Sequence, residues 1–176
     1  MADNTLYGTH GFLAVIQGGS SRLSPQDYDI LTLSVGSNIA KAGMVVTIAG
    51  ETYPNCDLAI TTDVHAYGII LGPLYPENIA DYDIDTAITD GEKVRVLKIG
   101  GRKLGVKVAV ILEATAGPVA VMPGVQMAIG TEAGTVRNFV YADATAATDS
   151  SVEIVGICAT TSPGSTTDDL IIIMEV

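Results

Sequence analysis

The acidic run D-Y-D-I-D is the densest group of side chains that could do chemistry, and it holds Asp81, Asp83 and Asp85. In an extended chain alternate residues face the same way, so the three carboxylates would share one face. Ca²⁺ prefers such oxygen ligands. Counted from Asp81, Glu92 takes the twelfth position of a calcium loop, but Thr86 stands where that loop needs glycine. The run is a weak candidate for structural calcium, and a solvated loop or a docking face for a basic surface are the alternatives.

The segment G-G-R-K-L-G at 100–105 has a superficial likeness to a phosphate-binding loop. It lacks the terminal G-K-[ST] and no helix pattern follows, so a turn between strands explains it. His10 and His65 form no metal-binding pair, and no G-x-S-x-G sequence marks a catalytic serine. We therefore predict that the chain is not an enzyme, and we predict no cofactor.

The cysteines, Cys56 and Cys158, are far apart and each is flanked by apolar residues. Buried free thiols are the expected state, with a single disulfide as the alternative.

The basic residues are concentrated in one part of an acidic chain. The net charge is −11, and six of the nine basic residues fall within positions 93–107. Free nucleic acid is not an expected partner, because phosphate binding needs a positive surface. The basic group either contacts an acidic surface of another copy or is a solvated hairpin. These subunit-contact candidates are Lys93, Arg95, Lys98, Arg102, Lys103 and Lys107.

Short apolar runs rich in Val, Ile and Leu, separated by turn residues, determine the fold prediction. About ten such runs favour a mostly-β fold, a small barrel or sandwich. Residues 94–99 and 106–112 are expected to pair as a hairpin, and 119–122 is expected to be a further strand. Ser24, Pro25 and Asp27 mark the start of at most one short helix.

The first twenty residues are predicted to be an extended arm, followed by a single β domain over 21–176. Such an arm either completes the sheet of its own domain or adds a strand to a neighbouring protein. The first ten residues lack the order of a secretory signal, and no apolar run reaches the ~20 residues of a membrane span. No membrane partner is expected. The apolar and aromatic residues of the arm are Leu6, Tyr7, Phe12, Leu13, Val15 and Ile16.

Two stretches of the domain, about 40–100 and 119–176, share an order of features. Each has a glycine before one strand (A-G-M-V-V at 42–46, P-G-V-Q-M at 123–127) and a glycine inside a later one (Y-G-I-I at 67–70, V-G-I-C at 155–158). Glycine permits a turn in the first place and close backbone approach in the second. The order indicates either two similar halves or coincidence in a glycine-rich β protein.

The segments A-K-A-G-M-V-V at 40–46 and Y-G-I-I-L-G at 67–72, followed by charged strands, resemble the lambda-type head decoration proteins of tailed bacterial and archaeal viruses. The second half, with M-P-G-V at 122–125, is similar to the related β-rich capsid cement proteins, although Val125 replaces their usual acidic residue. The resemblance implies a homotrimer on the outer surface of an icosahedral capsid, with the N-terminal arm pairing with the major capsid protein.

From this resemblance we expect a virion protein, made in the host cytoplasm, that stabilises the capsid through its arm and β edges. The alternatives are another virion component, such as a shell subunit or a tail or fibre part, and a small calcium- or carbohydrate-binding β module.

Overall fold

Ten short strands make up the regular structure of the part of the chain that the structure describes. The computed structural model describes residues 30–36, 39–48, 51–61, 65–74, 87–99, 107–113, 121–139, 154–159 and 170–176. No helix occurs in these ranges, and the prediction of a mostly-β fold with about ten strands is confirmed. The strands are β1 (Ile30–Val35), β2 (Val45–Thr47), β3 (Asn55–Leu58), β4 (Gly68–Pro73), β5 (Lys93–Lys98), β6 (Lys107–Leu112), β7 (Gln126–Ile129), β8 (Val136–Asn138), β9 (Ile154–Cys158) and β10 (Leu170–Glu175).

The strands close into two five-stranded barrels. Barrel 1 has the order β1-β3-β2-β4-β5, and barrel 2 has the order β10-β6-β8-β7-β9. β1 runs parallel to β3, and β6 runs parallel to β8, whereas the other neighbouring strands are antiparallel. Each strand of barrel 1 corresponds to the strand five later in the chain. The two barrels therefore have the same topology.

The correspondence extends to single hydrogen bonds. Gly43 (φ 87°) and Gly124 (φ 90°) lie in the turns before β2 and β7. The Gly43 amide donates to the Ile70 carbonyl at 2.7 Å, and the Gly124 amide donates to the Cys158 carbonyl at 2.8 Å. Because the two bonds are equivalent, Ile70 of β4 corresponds to Cys158 of β9, and the residues before them align in order.

The same alignment makes Gly68 of β4 equivalent to Gly156 of β9. A Cβ at Gly68 would lie 2.4 Å from Val96 Cγ1, and a Cβ at Gly156 would lie 2.6 Å from the Glu175 carbonyl oxygen. A side chain fits at neither position, so the expected close backbone approach is present in both barrels. The two equivalent units begin at β1 and at β6. Both starting points lie before residues 40 and 119, where the shared order of features begins in the sequence.

Alternating side chains divide barrel 1 into an inner and an outer set. The inner residues fill the interior as one cluster, which includes Leu33, Val46, Ile70, Val94 and Val96. The interior of a barrel this small is filled by side chains and leaves no channel. The outward-facing residues of barrel 1 on β2, β4 and β5 belong to a second apolar cluster, which also contains the interior residues of barrel 2. The two barrels are thus packed together through apolar side chains.

Two expectations about the strands are corrected, and one strand of the structure was not predicted. β5 and β6 do not form a hairpin, because β1 and β4 occupy both sides of β5 inside barrel 1. β3 was not predicted, since Asn55 and Asp57 are poor strand formers and only Cys56 and Leu58 point into the core. The expected strand at 119–122 is reduced in its described part to an isolated bridge at Val121. The helix expected near Ser24 lies outside the described residues.

Candidate interaction surfaces

Three exposed large apolar side chains mark the outer wall of barrel 2. Ile154 and Ile157 of β9 are 42% and 46% exposed, and Met122, in the turn before β7, is 58% exposed. Ile157 lies between Gln126 of β7 and Glu175 of β10 in the register of the sheet. We name these five residues the barrel-2 patch.

The corresponding row of barrel 1 is Val45, Ile69 and Leu97, which the register aligns with Gln126, Ile157 and Glu175. All three barrel-1 residues are buried, and they belong to the cluster that contains the interior of barrel 2. The outer wall of barrel 1 is therefore covered by barrel 2, whereas the described residues leave the equivalent wall of barrel 2 exposed.

The backbone of Gly134 makes the most specific contact between the barrels. Its carbonyl accepts from the Val45 amide at 2.7 Å, and its amide donates to the Ala59 carbonyl at 2.8 Å. Gly134 has φ 78°, and an added Cβ would lie 2.9 Å from Met44 Cβ. The β7–β8 turn thus reaches the outer wall of barrel 1 at a position where only glycine fits without strain.

Glu113, which follows β6, holds that turn in place. Its Oε1 accepts from the backbone amides of Thr131 and Glu132, both at 3.0 Å, and also from the Thr131 hydroxyl. Glu113 is buried. Its buried carboxylate therefore provides the acceptor for two backbone amides of the β7–β8 turn, and so positions the turn that carries Gly134.

Replacing Glu113 by alanine is expected to lower the free energy of unfolding by about 1–3 kcal/mol, since two part-buried amides would lose their acceptor. Glu113→Gln is the matched control, because its amide oxygen can still accept from the same donors. We expect the glutamine variant to lose less than half as much, as measured by urea unfolding. Equal losses in the two variants would contradict the proposed role of the acceptor oxygen.

The basic candidates are only partly brought together. Lys93 and Arg95 lie on the outward side of β5, in register with Ser34 and Thr32, whereas Lys98 faces the other way at the strand end. Arg95 is half-buried, and this burial lowers the pKa of its guanidinium. Arg102 and Lys103 lie outside the described residues, and Lys107 begins β6, in the other barrel.

The arm residues Leu6, Tyr7, Phe12, Leu13, Val15 and Ile16 lie outside the described residues. The calcium candidates Asp81, Asp83 and Asp85 also lie outside them. Within the described ranges, no three His, Cys, Asp or Glu residues are grouped so that they could hold a metal ion. Those ranges also contain no helix whose length and apolar character would let it cross a bilayer.

Both cysteines are free and buried, Cys56 in the core of barrel 1 and Cys158 in the core of barrel 2. Burial, with smaller effects of Asp57 and Glu51, raises the pKa of the Cys56 thiol from 9.0 to about 11. A thiol with this pKa is protonated and a poor nucleophile near neutral pH.

We expect native protein at pH 8 to react slowly with a chromogenic disulfide reagent, because only about one Cys56 thiol in a thousand would be ionised. In denaturant, two thiols per chain should react at once. A rapid reaction of the native protein at both cysteines would show that the thiols are accessible.

Two features of these surfaces were not predicted from the sequence. Glu113 is one acid among many in an acidic chain, and nothing local distinguishes it. The barrel-2 patch becomes visible only when β9 is aligned with β4, since Ile69 and Ile157 follow equivalent glycines. The paired glycine motifs contained this alignment, but the burial of one wall and the exposure of the other depend on how the barrels pack.

No protein-family model matches the chain, and no curated protein matches it significantly.

Proposed function

We propose that the chain is a virion structural protein that decorates and stabilises the outer surface of an icosahedral capsid as a homotrimer. The observation that carries the proposal is the barrel-2 patch. Its apolar members are exposed, although the same wall of barrel 1 is buried against a neighbouring barrel. Exposed apolar groups of this kind are typical of protein–protein contacts.

The segments that carry the resemblance to decoration and cement proteins occupy equivalent places in the two barrels. A-G-M-V-V at 42–46 and P-G-V-Q-M at 123–127 form the turns and strands at β2 and β7. Y-G-I-I at 67–70 and V-G-I-C at 155–158 lie at β4 and β9. This repeated unit supports a protein whose role is to pack against others, and the acidic charge of −11 supports solubility of a dense shell of copies.

The expected docking through β edges stays a proposal. Every one of the ten described strands has a neighbour on both sides, but some pairings are short: β10 pairs with β9 only at Met174 and Glu175, and β6 pairs with β8 only at Leu112. The contact with other proteins is therefore assigned to the outer walls of the barrels, to the lengths of strand beyond these short pairings and to the arm at residues 1–20.

The test is co-sedimentation with shells assembled from the major capsid protein of the virus to which the proposal assigns this chain. The full chain is expected to sediment with these shells at a saturating, fixed ratio. A chain lacking residues 1–20 should remain folded by circular dichroism but lose binding. Failure of the full chain to bind would overturn the decoration proposal, and unchanged binding of the truncated chain would overturn the role of the arm.

A further inference from the structure

We infer that the barrel-2 patch binds barrel 1 of a second copy of this chain, on a surface formed by Ser34, Tyr53 and Lys93. The inference rests on the homotrimer in the proposed function and assigns its contact surfaces. It starts from the contact already present within the chain, where the outer wall of barrel 1 packs against barrel 2.

Three residues of barrel 2 mark the side of it that faces barrel 1 in that internal contact. The backbone of Gly134 forms hydrogen bonds with Val45 and Ala59. The Ile111 amide donates to the Gly43 carbonyl at 3.1 Å. Ala133 packs against the core of barrel 1. These contacts define the side of barrel 2 that receives an outer wall.

The register identifies the same side on barrel 1. Ile111 corresponds to Ser34, because each is paired with the matching position of the last strand of its barrel. The turns before β3 and β8 are aligned by the bonds from the Asn55 amide to Thr52 and from the Thr135 amide to Glu132.

This alignment makes Tyr53 the counterpart of Ala133 and Pro54 the counterpart of Gly134. Tyr53 is 66% exposed. Each copy therefore has one exposed wall and one exposed surface of the type that receives such a wall within the chain.

The charges of the two surfaces are complementary. Glu175 is the exposed acidic member of the barrel-2 patch, and Lys93 is exposed and in register with Ser34. An aromatic side chain at the centre with a charged pair at its rim is a common composition for a protein interface.

The contact between copies must be weaker than the contact inside the chain. Pro54 has no amide hydrogen, and its carbonyl already accepts from the Ser34 amide at 2.9 Å. The two backbone hydrogen bonds of Gly134 therefore have no equivalent at Pro54. The contact between copies is therefore made by side chains alone. A contact of this kind suits copies that associate reversibly.

After the first association, a contact between two different surfaces leaves the pair with one free patch on one copy and one free barrel-1 surface on the other. Such a head-to-tail contact either grows into a filament or closes into a ring. A closed ring leaves no surface of either kind free. A ring of three copies is the closed assembly that the homotrimer of the proposed function requires.

The test is the mass of the full chain in solution by sedimentation equilibrium. The wild-type protein should give three times the chain mass of 18.2 kDa. Ile157→Asp places a charge in the patch and should give a single chain mass at the same concentration. Ile39→Asp is the matched control, because Ile39 is also exposed, lies between β1 and β2 outside both surfaces, and should leave the trimer unchanged.

A charge exchange tests the same pairing without an apolar change. Glu175→Lys and Lys93→Glu should each raise the dissociation constant about tenfold per contact, and the double variant should recover most of the loss. A trimer that persists in Ile157→Asp, or a wild-type chain that stays a single chain, would overturn the inference. Shell binding, measured separately by co-sedimentation, tests the proposed function independently of either result.

Discussion

Gly134→Ala is expected to lower the free energy of unfolding by about 2–5 kcal/mol. A left-handed backbone costs a residue with a Cβ about 1–2 kcal/mol, and overpacking adds about 1–3 kcal/mol. The new Cβ would lie 2.9 Å from Met44 Cβ and 3.1 Å from Met44 Sδ, across the contact between the barrels. Urea unfolding measures the loss, and its cooperativity reports whether the barrels still unfold together.

Gly124→Ala separates the two costs. Gly124 also has a positive φ, of 90°, but nothing lies within 4 Å of its added Cβ. The control should therefore lose only the backbone cost of about 1–2 kcal/mol. If both variants lose the same amount, the contact of Gly134 with Met44 contributes nothing, and the account of how the barrels are joined is wrong.

Gly68→Ala and Gly156→Ala are each expected to cost about 3 kcal/mol or more, at the upper end of overpacking effects. The Cβ at either position would lie 2.6 Å from a backbone carbonyl oxygen, of Leu97 or of Glu175. A backbone atom inside a closed barrel cannot move aside as a long side chain can. The two losses should be similar, because the positions are equivalent in the two barrels.

Gly36→Ala is the matched control for these variants. The nearest atom to its added Cβ is the Cys56 carbonyl oxygen at 3.6 Å, which is an ordinary contact. Its free energy of unfolding should change by no more than about 1 kcal/mol. A large loss at Gly68 with none at Gly156 would contradict the equivalence of the barrels.

The strands rich in Val, Ile and Leu were predictable because alternation and composition agree there, as in β5 and β9. β3 was missed because only Cys56 and Leu58 signal burial, over four residues. The paired glycine motifs were visible in the sequence, and their meaning became clear from the equivalent hydrogen bonds of Gly43 and Gly124. Local sequence patterns predict turns and strands, but they do not determine which strands pair with each other.

The pairing of β5 shows this limit in a single case. Residues 94–99 and 106–112 look like a hairpin, because two strands lie close in sequence with glycines between them. In the structure β5 closes barrel 1 with β1, which lies more than fifty residues earlier in the chain. Closure of a barrel is a property of five strands together, so no local signal could predict it.

The candidate interaction surfaces were visible in the sequence only in part. Lys93 and Arg95 were predicted as contact residues, and that role stays a prediction, although both lie on the outward side of β5. The sequence did not point to the barrel-2 patch, since exposed isoleucines have the same local sequence as buried ones. Ile69 and Ile157 both follow glycine in their strands, yet Ile69 is buried and Ile157 is exposed.

The rate of oxidation of Met122 by peroxide tests most directly whether the barrel-2 patch is a docking surface. Met122 is exposed in the single chain, whereas Met127 and Met174 are buried and serve as internal controls. Mass spectrometry of the wild-type protein, at a concentration where it is a trimer and at one where it has dissociated into single chains, would give the rate at each methionine. We predict that Met122 oxidation is several-fold slower in the trimer than in the single chain, while the controls stay slow in both. An equal rate at Met122 in the two states would contradict the account.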